Sequence, residues 1–245
     1  MNQNCEDCNS CFLACKDEHV DNDFPPRSSS QPRHGHRWIN IMRKERGQFP
    51  LIDVAYLPRP CMHCDDAPCI KNAADNAVYK SDDGIVVIDP IKSKGQQNLV
   101  KSCPYGAIWW NAEKEIPQKC VFCAHLLDDG WQKSRCVQAC PTGALRMLHV
   151  EDSEMEGIVQ DEKLEILHPE YQPRPRVCYK NLYRYTKCFI AGSVAQAHDG
   201  IEDCVNGETV ILYQDGKKLQ ETKTDCFGDL NLITWNLTAA FTRSA

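Results

Sequence analysis

"KSKGQQNLVKSCPYGAIWW", residues 92–110, carries one cysteine, Cys103, inside a Cys-Pro-Tyr-Gly-Ala pentapeptide that runs into the apolar Ile108-Trp109-Trp110. The pattern recurs once, where Cys140-Pro141-Thr142-Gly143-Ala144 runs into Leu145-Arg146-Met147-Leu148. Proline and glycine enforce a tight turn in both, and the residues after it read as a strand, so one supersecondary unit is repeated within the chain. The two copies differ in what precedes them. Cys140 closes a run with Cys120, Cys123 and Cys136, whereas no cysteine precedes Cys103 until Cys69.

Of the sixteen cysteines in 245 residues, twelve lie before residue 141, and their spacing carries the chemistry. Cys5, Cys8, Cys11 and Cys15 spell CxxCxxCxxxC, the spacing that holds four-iron clusters. Three thiolates on a tight loop face three corners of one cube, and the fourth, on the helix that follows, reaches a different cube. Cys120, Cys123, Cys136 and Cys140 follow the same logic with an insertion between the second and third ligands. If the two runs exchange their fourth cysteines, a first [4Fe-4S] cluster takes Cys5, Cys8, Cys11 and Cys140. A second then takes Cys120, Cys123, Cys136 and Cys15.

Cys61, Cys64 and Cys69 supply three ligands, and the place of a fourth, four residues on, is Ala73. Counting back from Cys103 by the standard spacing puts its absent companions at Ser93, Gln96 and Leu99. Under the exchange rule a cluster built from positions 73, 93, 96 and 99 loses those four ligands and no others. Cys61, Cys64, Cys69 and Cys103 then remain as a third complete site. The sequence reads as a four-cluster plan with one cluster deleted, and "KSKGQQNLVKSC" is the trace of the deletion.

Other readings of the same residues fit less well. Structural zinc takes two CxxC pairs per ion, not triplets followed by CxxxCP. Disulfide scaffolds are denser in cysteine and belong to secreted chains, and this N-terminus has no signal architecture. Cys178, Cys188, Cys204 and Cys226 are irregularly spaced and read as buried or free thiols. His63 and His125, beside ligands, read as packed or supporting side chains, not as ligands. Trp109 and Trp110 read as core or interface anchors. The basic stretch "RHGHRWINIMRKERG", residues 33–47, reads as a solvated strand, with a docking face as the alternative.

A net charge of −6 argues against nucleic acid as a partner, since phosphate binding needs a basic field. No run of 18 apolar residues occurs, so membrane insertion is not expected and the chain reads as cytoplasmic. Neither GxGxxG nor a P-loop is present, and no nucleophile or carboxylate pair stands out, so no catalytic residues of its own are expected.

The expected organisation is α+β. Residues 1–150 form a duplicated cluster-binding domain, 151–176 a helix and a Pro-rich linker, and 177–245 a small all-β domain of transthyretin or immunoglobulin type. Hairpins are expected around Asp83-Gly84 and Asp215-Gly216.

"CMHCDDAPC", "GIVVIDP", "CPYGAI", "KCVFCAHLLDDG" and "CVQACPTGAL" together resemble the iron-sulfur subunits of the dimethyl sulfoxide reductase class of molybdopterin enzymes. The resemblance implies a bacterial ferredoxin-like fold for 1–150 and an electron-transfer role. It also implies a larger partner subunit that carries molybdenum bis-pterin guanine dinucleotide and the catalytic residues. Three clusters followed by a β domain, with "GHRWINIMRKERG" and "RVCYKNLYRY", are most similar to the branch whose holoenzymes move a hydroxyl between trihydroxybenzenes such as pyrogallol and phloroglucinol. Subunits of S-oxide, N-oxide or polysulfide reductases and formate dehydrogenases are the alternative, and a structural adaptor with redox-silent clusters is a second. Truncation at one or both ends is expected, since only four residues precede Cys5 where the family places a strand, and "WNLTAAFTRSA" breaks the β alternation.

Overall fold

The computed structural model describes residues 4–49 and 51–236, so the expected break in alternation at the C-terminus lies mostly outside the described residues. The chain divides into two compact units, residues 1–42 with 56–182, and residues 43–55 with 183–245.

The first unit opens with α1 (Ser10–His19), which carries Cys11 and Cys15. A hairpin of β1 (Asn40–Gln48) and β2 (Leu51–Arg59) follows, with its tip, 43–55, belonging to the second unit. After the one-turn helix α2 (Pro68–Lys71) come β3 (Val78–Lys80) and β4 (Val86–Ile88), paired antiparallel with Tyr79 opposite Val87. Their turn passes through Gly84 at φ 80°, as Asp83-Gly84 leads one to expect. Helix α3 (Asn98–Ser102) leads to Cys103, and β5 (Trp109–Asn111) then pairs with β6 (Ile116–Gln118). Short helices α4 (Ala124–Asp128) and α5 (Arg135–Gln138) position the last cysteine run before α6 (Asp152–Asp161).

The repeat is real in its turns and breaks in its strands. Gly106 N–H donates to Cys103 O at 3.0 Å and Gly143 N–H to Cys140 O at 3.3 Å, with both glycines left-handed at φ 60° and 63°. Residues 145–148, expected as a strand, are not one. After Trp109-Trp110 the chain turns back and supplies β6 as a partner, but after Leu148 it enters α6, and a strand without a neighbour leaves its backbone unpaired.

The Pro-rich stretch, expected as a linker, is instead strapped onto the Cys61–Cys69 loop. Asp65 N–H donates to Arg174 O at 2.9 Å, Asp66 N–H to Pro173 O at 3.1 Å, and Arg176 N–H to Met62 O at 3.0 Å. Arg174 pairs with Asp66 at 2.6 Å, while Arg176 bridges Asp65 and Asp152 at 2.7 and 3.0 Å. Proline favours an extended backbone with free carbonyls, and here those carbonyls find donors on a cysteine loop.

In the second unit, α7 (Tyr183–Thr186) stands where β structure was expected, ahead of β7 (Lys187–Ser193). Two hairpins follow, β8 (Ala195–His198) with β9 (Ile201–Cys204), and β10 (Thr209–Gln214) with β11 (Lys217–Lys223), the latter turning at Asp215-Gly216 as expected. Strand β12 (Asp229–Asn236) returns to pair with β7, placing Leu232 opposite Ile190. Gly228 precedes β12, and a Cβ there would stand 2.5 Å from Val194 O, so only glycine admits this close approach.

Asp53 anchors this unit. It accepts from Arg46 Nε at 2.8 Å and from Arg184 Nη2 at 2.6 Å, and Arg46 also donates to Lys187 O at 3.3 Å. Burial alone would raise the Asp53 carboxyl, but the Arg184 and Arg46 guanidiniums outweigh it and hold the group below its ordinary value. Asp53→Asn is expected to cost about 1–3 kcal/mol, the range for hydrogen bonds to charged groups. Because the folded carboxyl titrates low, this contribution is present at neutral pH and lost as pH falls through its depressed value. Thermal unfolding should therefore separate variant from wild type at pH 7 and bring them together in acid. Equal melting at pH 7 would show that the pair contributes nothing.

Among the described residues no helix is long and apolar enough to cross a membrane.

Candidate metal centres

Three loops carry CxxC pairs, and each turns in the same way. The residue before the second cysteine has a left-handed backbone in every case: Asp7 at φ 57°, His63 at 45° and Phe122 at 51°. None is glycine, and holding such a residue there costs of order 1–3 kcal/mol unless the surroundings fix it. The twist aims successive N–H groups into the loop, where they favour an anionic centre. Phe122 N–H, for example, lies 3.4 Å from Cys120 Sγ.

The thiols also bear on one another in sets. Burial first, then Cys61, Cys103 and Cys69, push Cys64 up to about 12. Cys69 is raised to about 11, by burial and by Cys61 and Cys103, against a lowering influence from Lys119. Cys5 is raised by burial and by Cys140 and Cys8, and Cys11 is pushed up to about 12 by burial, then Cys136, Cys5 and Cys8. Cys120 is raised by burial, then Cys136, Cys15 and Cys123, and Cys15 by burial, then Cys136 and Cys123. These mutual influences link Cys103 with Cys61, Cys64 and Cys69, Cys140 with Cys5, and Cys15 with Cys120, Cys123 and Cys136. Cys136 stands between the last two sets, since it influences Cys11 and is itself influenced by Cys140.

All sixteen cysteines are free thiols. Among the described residues no three His, Cys, Asp or Glu converge on one point close enough for a single ion. A cubane asks for a different arrangement, four thiolates at the corners of a cube and donors aimed at sulfur, and the loops supply both. Ala107 N–H reaches Cys103 Sγ at 3.5 Å, Gln31 Nε2 reaches Cys15 Sγ at 3.7 Å, and Ser134 Oγ lies 3.3 Å from Cys136 Sγ. At Cys140, burial is outweighed by N–H groups of Leu145, Ala144 and Thr142 together with the Thr142 hydroxyl, and the thiol falls below its ordinary value. Burial raises Cys11, Cys64, Cys69, Cys120 and Cys123 above the ordinary thiol value, so metal binding by them releases protons.

Neither histidine beside a ligand joins a thiol set. His63 is fully buried, accepts Val86 N–H at its Nδ1 at 3.1 Å and stacks on Phe122 at 3.8 Å. His125 pairs with Glu18 at 2.8 Å and stacks on Phe24 at 3.6 Å. Trp109 packs against the cysteine-rich core and Trp110 O accepts from His36 Nε2 at 3.0 Å. Much of the basic stretch is spent internally, with Arg33 on Asp21 at 3.2 Å, Arg37 over the Phe12 ring at 4.3 Å, and Arg46 on Asp53. Cys178 and Cys188 are half-buried, while Cys204 and Cys226 are exposed.

At the positions that the spacing leaves without cysteine, Ser93 and Leu99 are both 0 % exposed. Gln96 Oε1 accepts Ala74 N–H at 3.0 Å, and its Nε2 donates to Lys92 O at 2.9 Å and Ala74 O at 3.3 Å. Asn98 Nδ2 adds a bond to Asn72 O at 3.1 Å. A polar clamp and an apolar plug thus join the two loops that a cluster would have joined.

Two residues near the thiols escape a reading by spacing. His19 is buried, with its Nε2 3.8 Å from Cys123 Sγ, and burial first, then His125, lowers it to about 3. Lys119 is buried beside Cys120 and donates to the carbonyls of Val86 and Cys120.

The 4Fe-4S dicluster domain family matches residues 52–150. The chain is 44% identical to the pyrogallol hydroxytransferase small subunit of Pelobacter acidigallici, over 92% of this chain and 81% of that protein. It is 28% identical to the arsenate respiratory reductase iron-sulfur subunit ArrB of Shewanella sp. (strain ANA-3), over 72% of this chain and 92% of that protein. With the thiosulfate reductase electron transfer subunit PhsB of Salmonella typhi it shares 30% identity, over 62% of this chain and 74% of that protein. Thiol loops, repeated turns and relatives agree, and the chain belongs to the iron-sulfur subunits of the dimethyl sulfoxide reductase class of molybdopterin oxidoreductases.

Proposed function

We propose that this chain carries three [4Fe-4S] clusters and serves as the electron-transfer subunit of a transhydroxylase acting on trihydroxybenzenes such as pyrogallol and phloroglucinol. What supports this reading is the mutual influence among the thiols, which links Cys103 to Cys61, Cys64 and Cys69 and Cys15 to Cys120, Cys123 and Cys136, taken with 44% identity to a pyrogallol hydroxytransferase small subunit. Cys5, Cys8, Cys11 and Cys140 hold one cluster, Cys120, Cys123, Cys136 and Cys15 a second, and Cys61, Cys64, Cys69 and Cys103 a third. Bound there, the clusters accept and return single electrons. The chain buries Cys61, Cys64, Cys69, Cys120 and Cys123, directs N–H and hydroxyl donors at sulfur, and fixes the Cys61–Cys69 loop with the Pro-rich strap.

A larger partner carries the molybdenum bis-pterin guanine dinucleotide and the chemistry on substrate. Moving a hydroxyl between trihydroxybenzenes involves no net oxidation, so the clusters are accessory to turnover. Residues 1–150 form the cluster domain, and 177–245 a small β domain of transthyretin or immunoglobulin type appended to it. The sixteen cysteines form no disulfide in the structure, which fits a reducing, cytoplasmic setting. The reductase relatives, at 28–30% identity, favour a second reading in which the holoenzyme reduces an inorganic oxyanion.

The test is anaerobic purification of the complex with iron, sulfide and molybdenum analysis. Three clusters require about twelve irons per chain, four for each. About four or eight would break the ligand assignment, and the absence of molybdenum from the same peak would remove the partner. Turnover of pyrogallol, set against arsenate or thiosulfate, separates the two readings.

A further inference from the structure

Lys119 is a buried charge in search of a counter-charge. It is 2 % exposed. Its Nζ donates to Val86 O and, at 3.1 Å, to Cys120 O, and among the described residues it forms no ion pair with a carboxylate. Carbonyl dipoles solvate an ammonium but do not neutralise it, and an isolated buried charge is costly unless an anion lies near. The nearby acids are taken up elsewhere: Asp65 by Lys80 and Arg176, and Glu18 by His125 and Arg135. Geometry places the ammonium beside the Cys61–Cys69 loop: Val86, whose carbonyl accepts from Lys119, donates its N–H to His63 Nδ1 at 3.1 Å, and His63 immediately precedes Cys64. The influence of Lys119 on Cys69 and Cys103 agrees with that placement, and Lys119 is also the immediate neighbour of Cys120.

We propose that Lys119 is the fixed counter-charge of the cluster held by Cys61, Cys64, Cys69 and Cys103, and that it sets that cluster's reduction potential above those of the other two. The proposal rests on the cluster assignment given above. Each electron added to a thiolate-ligated cluster adds a negative charge, and a buried ammonium beside it stabilises the reduced form more than the oxidised form. Solvent does not screen the effect, because Lys119 is out of reach of water and salt. The His63 ring lies close by but supplies no charge, since burial first, then Lys119 and Lys80, hold it well below its ordinary value. Lys119 touches no substrate. It acts through the cluster ligands as a positioning residue for charge.

The experiment uses the purified complex, titrated with dithionite in the presence of mediator dyes and followed by the paramagnetic signals of the reduced clusters. Lys119→Gln keeps donors for the Val86 and Cys120 carbonyls while removing the charge. It is expected to retain about twelve irons. It should also move one signal, the one abolished by Cys103→Ala, at least tenfold toward the oxidised form, which is about 59 mV for one electron. Lys119→Arg, which keeps the charge, is expected to leave that signal near its wild-type potential. Three intact signals with unchanged potentials in Lys119→Gln would overturn the proposal, and so would an equal shift in the Arg variant. If Lys119→Gln fails to assemble, a Lys119→Arg protein whose third-set potential falls to those of the others refutes it as well. A wild-type complex with fewer than three signals would instead overturn the cluster assignment itself, so the two failures are distinguishable.

Discussion

Cys103→Ala removes one cluster and leaves two: iron falls from about twelve to about eight per chain, at four irons per cluster, and one of three paramagnetic signals disappears. The cluster lost is expected to be the one proposed for Cys61, Cys64 and Cys69, more than thirty positions earlier in the chain, because Cys103 and those thiols influence one another while the N–H groups of Ala107 and Tyr105 point at the same sulfur. Cys15→Ala carries the same logic through a different pair. Cys15 sits in the first cysteine run, yet the thiols that influence it, or that it influences, are Cys120, Cys123 and Cys136 of the last run. The cluster that disappears should therefore be the one also lost in Cys123→Ala, and it should not be the one lost in Cys8→Ala. Each comparison reads iron content and signal identity together. If Cys15→Ala and Cys8→Ala abolish the same signal, the fourth cysteines do not exchange and the assignment fails at its root.

How much of this was legible in the sequence depended on whether the physics was local. Turns were legible, because Cys-Pro-x-Gly-Ala and Asp-Gly each dictate a backbone conformation within five residues; both CPxGA copies and both Asp-Gly hairpins form as expected. The proposed cysteine sets rest on spacing plus one non-local rule, the exchange of the fourth ligand, and the variants above test that rule. Strand Leu145–Leu148 misled, since apolar alternation states only that a segment can be a strand, and the partner it needs was displaced by α6. The Pro-rich stretch misled for a related reason. Proline signals the absence of helix or central strand, which describes a linker and a strap equally well, and only the donors on Asp65 and Asp66 distinguish them. Lys119 and His19 gave no sequence signal, because a lysine or histidine beside a ligand reads the same whether its side chain turns to water or into the core.

The deleted site makes the sharpest stability test. A cluster is a covalent cross-link between loops, and its loss would leave both a hole and two untethered segments. Leu99, 0 % exposed, stands where the spacing would place a ligand of such a cluster, and Gln96 ties the Ala74 and Lys92 backbones together. Leu99→Ala removes three carbons from a closed pocket, and such truncations cost about 2–5 kcal/mol. At about 2–4 °C per kcal/mol for domains of 150–250 residues, that is a fall in Tm of roughly 4–20 °C. Gln96→Ala should cost less, about 1–3 kcal/mol, because it leaves the Ala74 and Lys92 groups at a surface where water replaces some of what is lost. In both variants iron content should stay at the wild-type level, since neither residue approaches the twelve thiols in sequence role or in the sets they form. A Leu99→Ala protein that melts with the wild type would mean the pocket collapses freely, and the vacated site would then be slack and not plugged. Loss of iron in Leu99→Ala would mean something different: that the plug holds α3 in place for Cys103, and that closing the deleted site was a condition for keeping its neighbour.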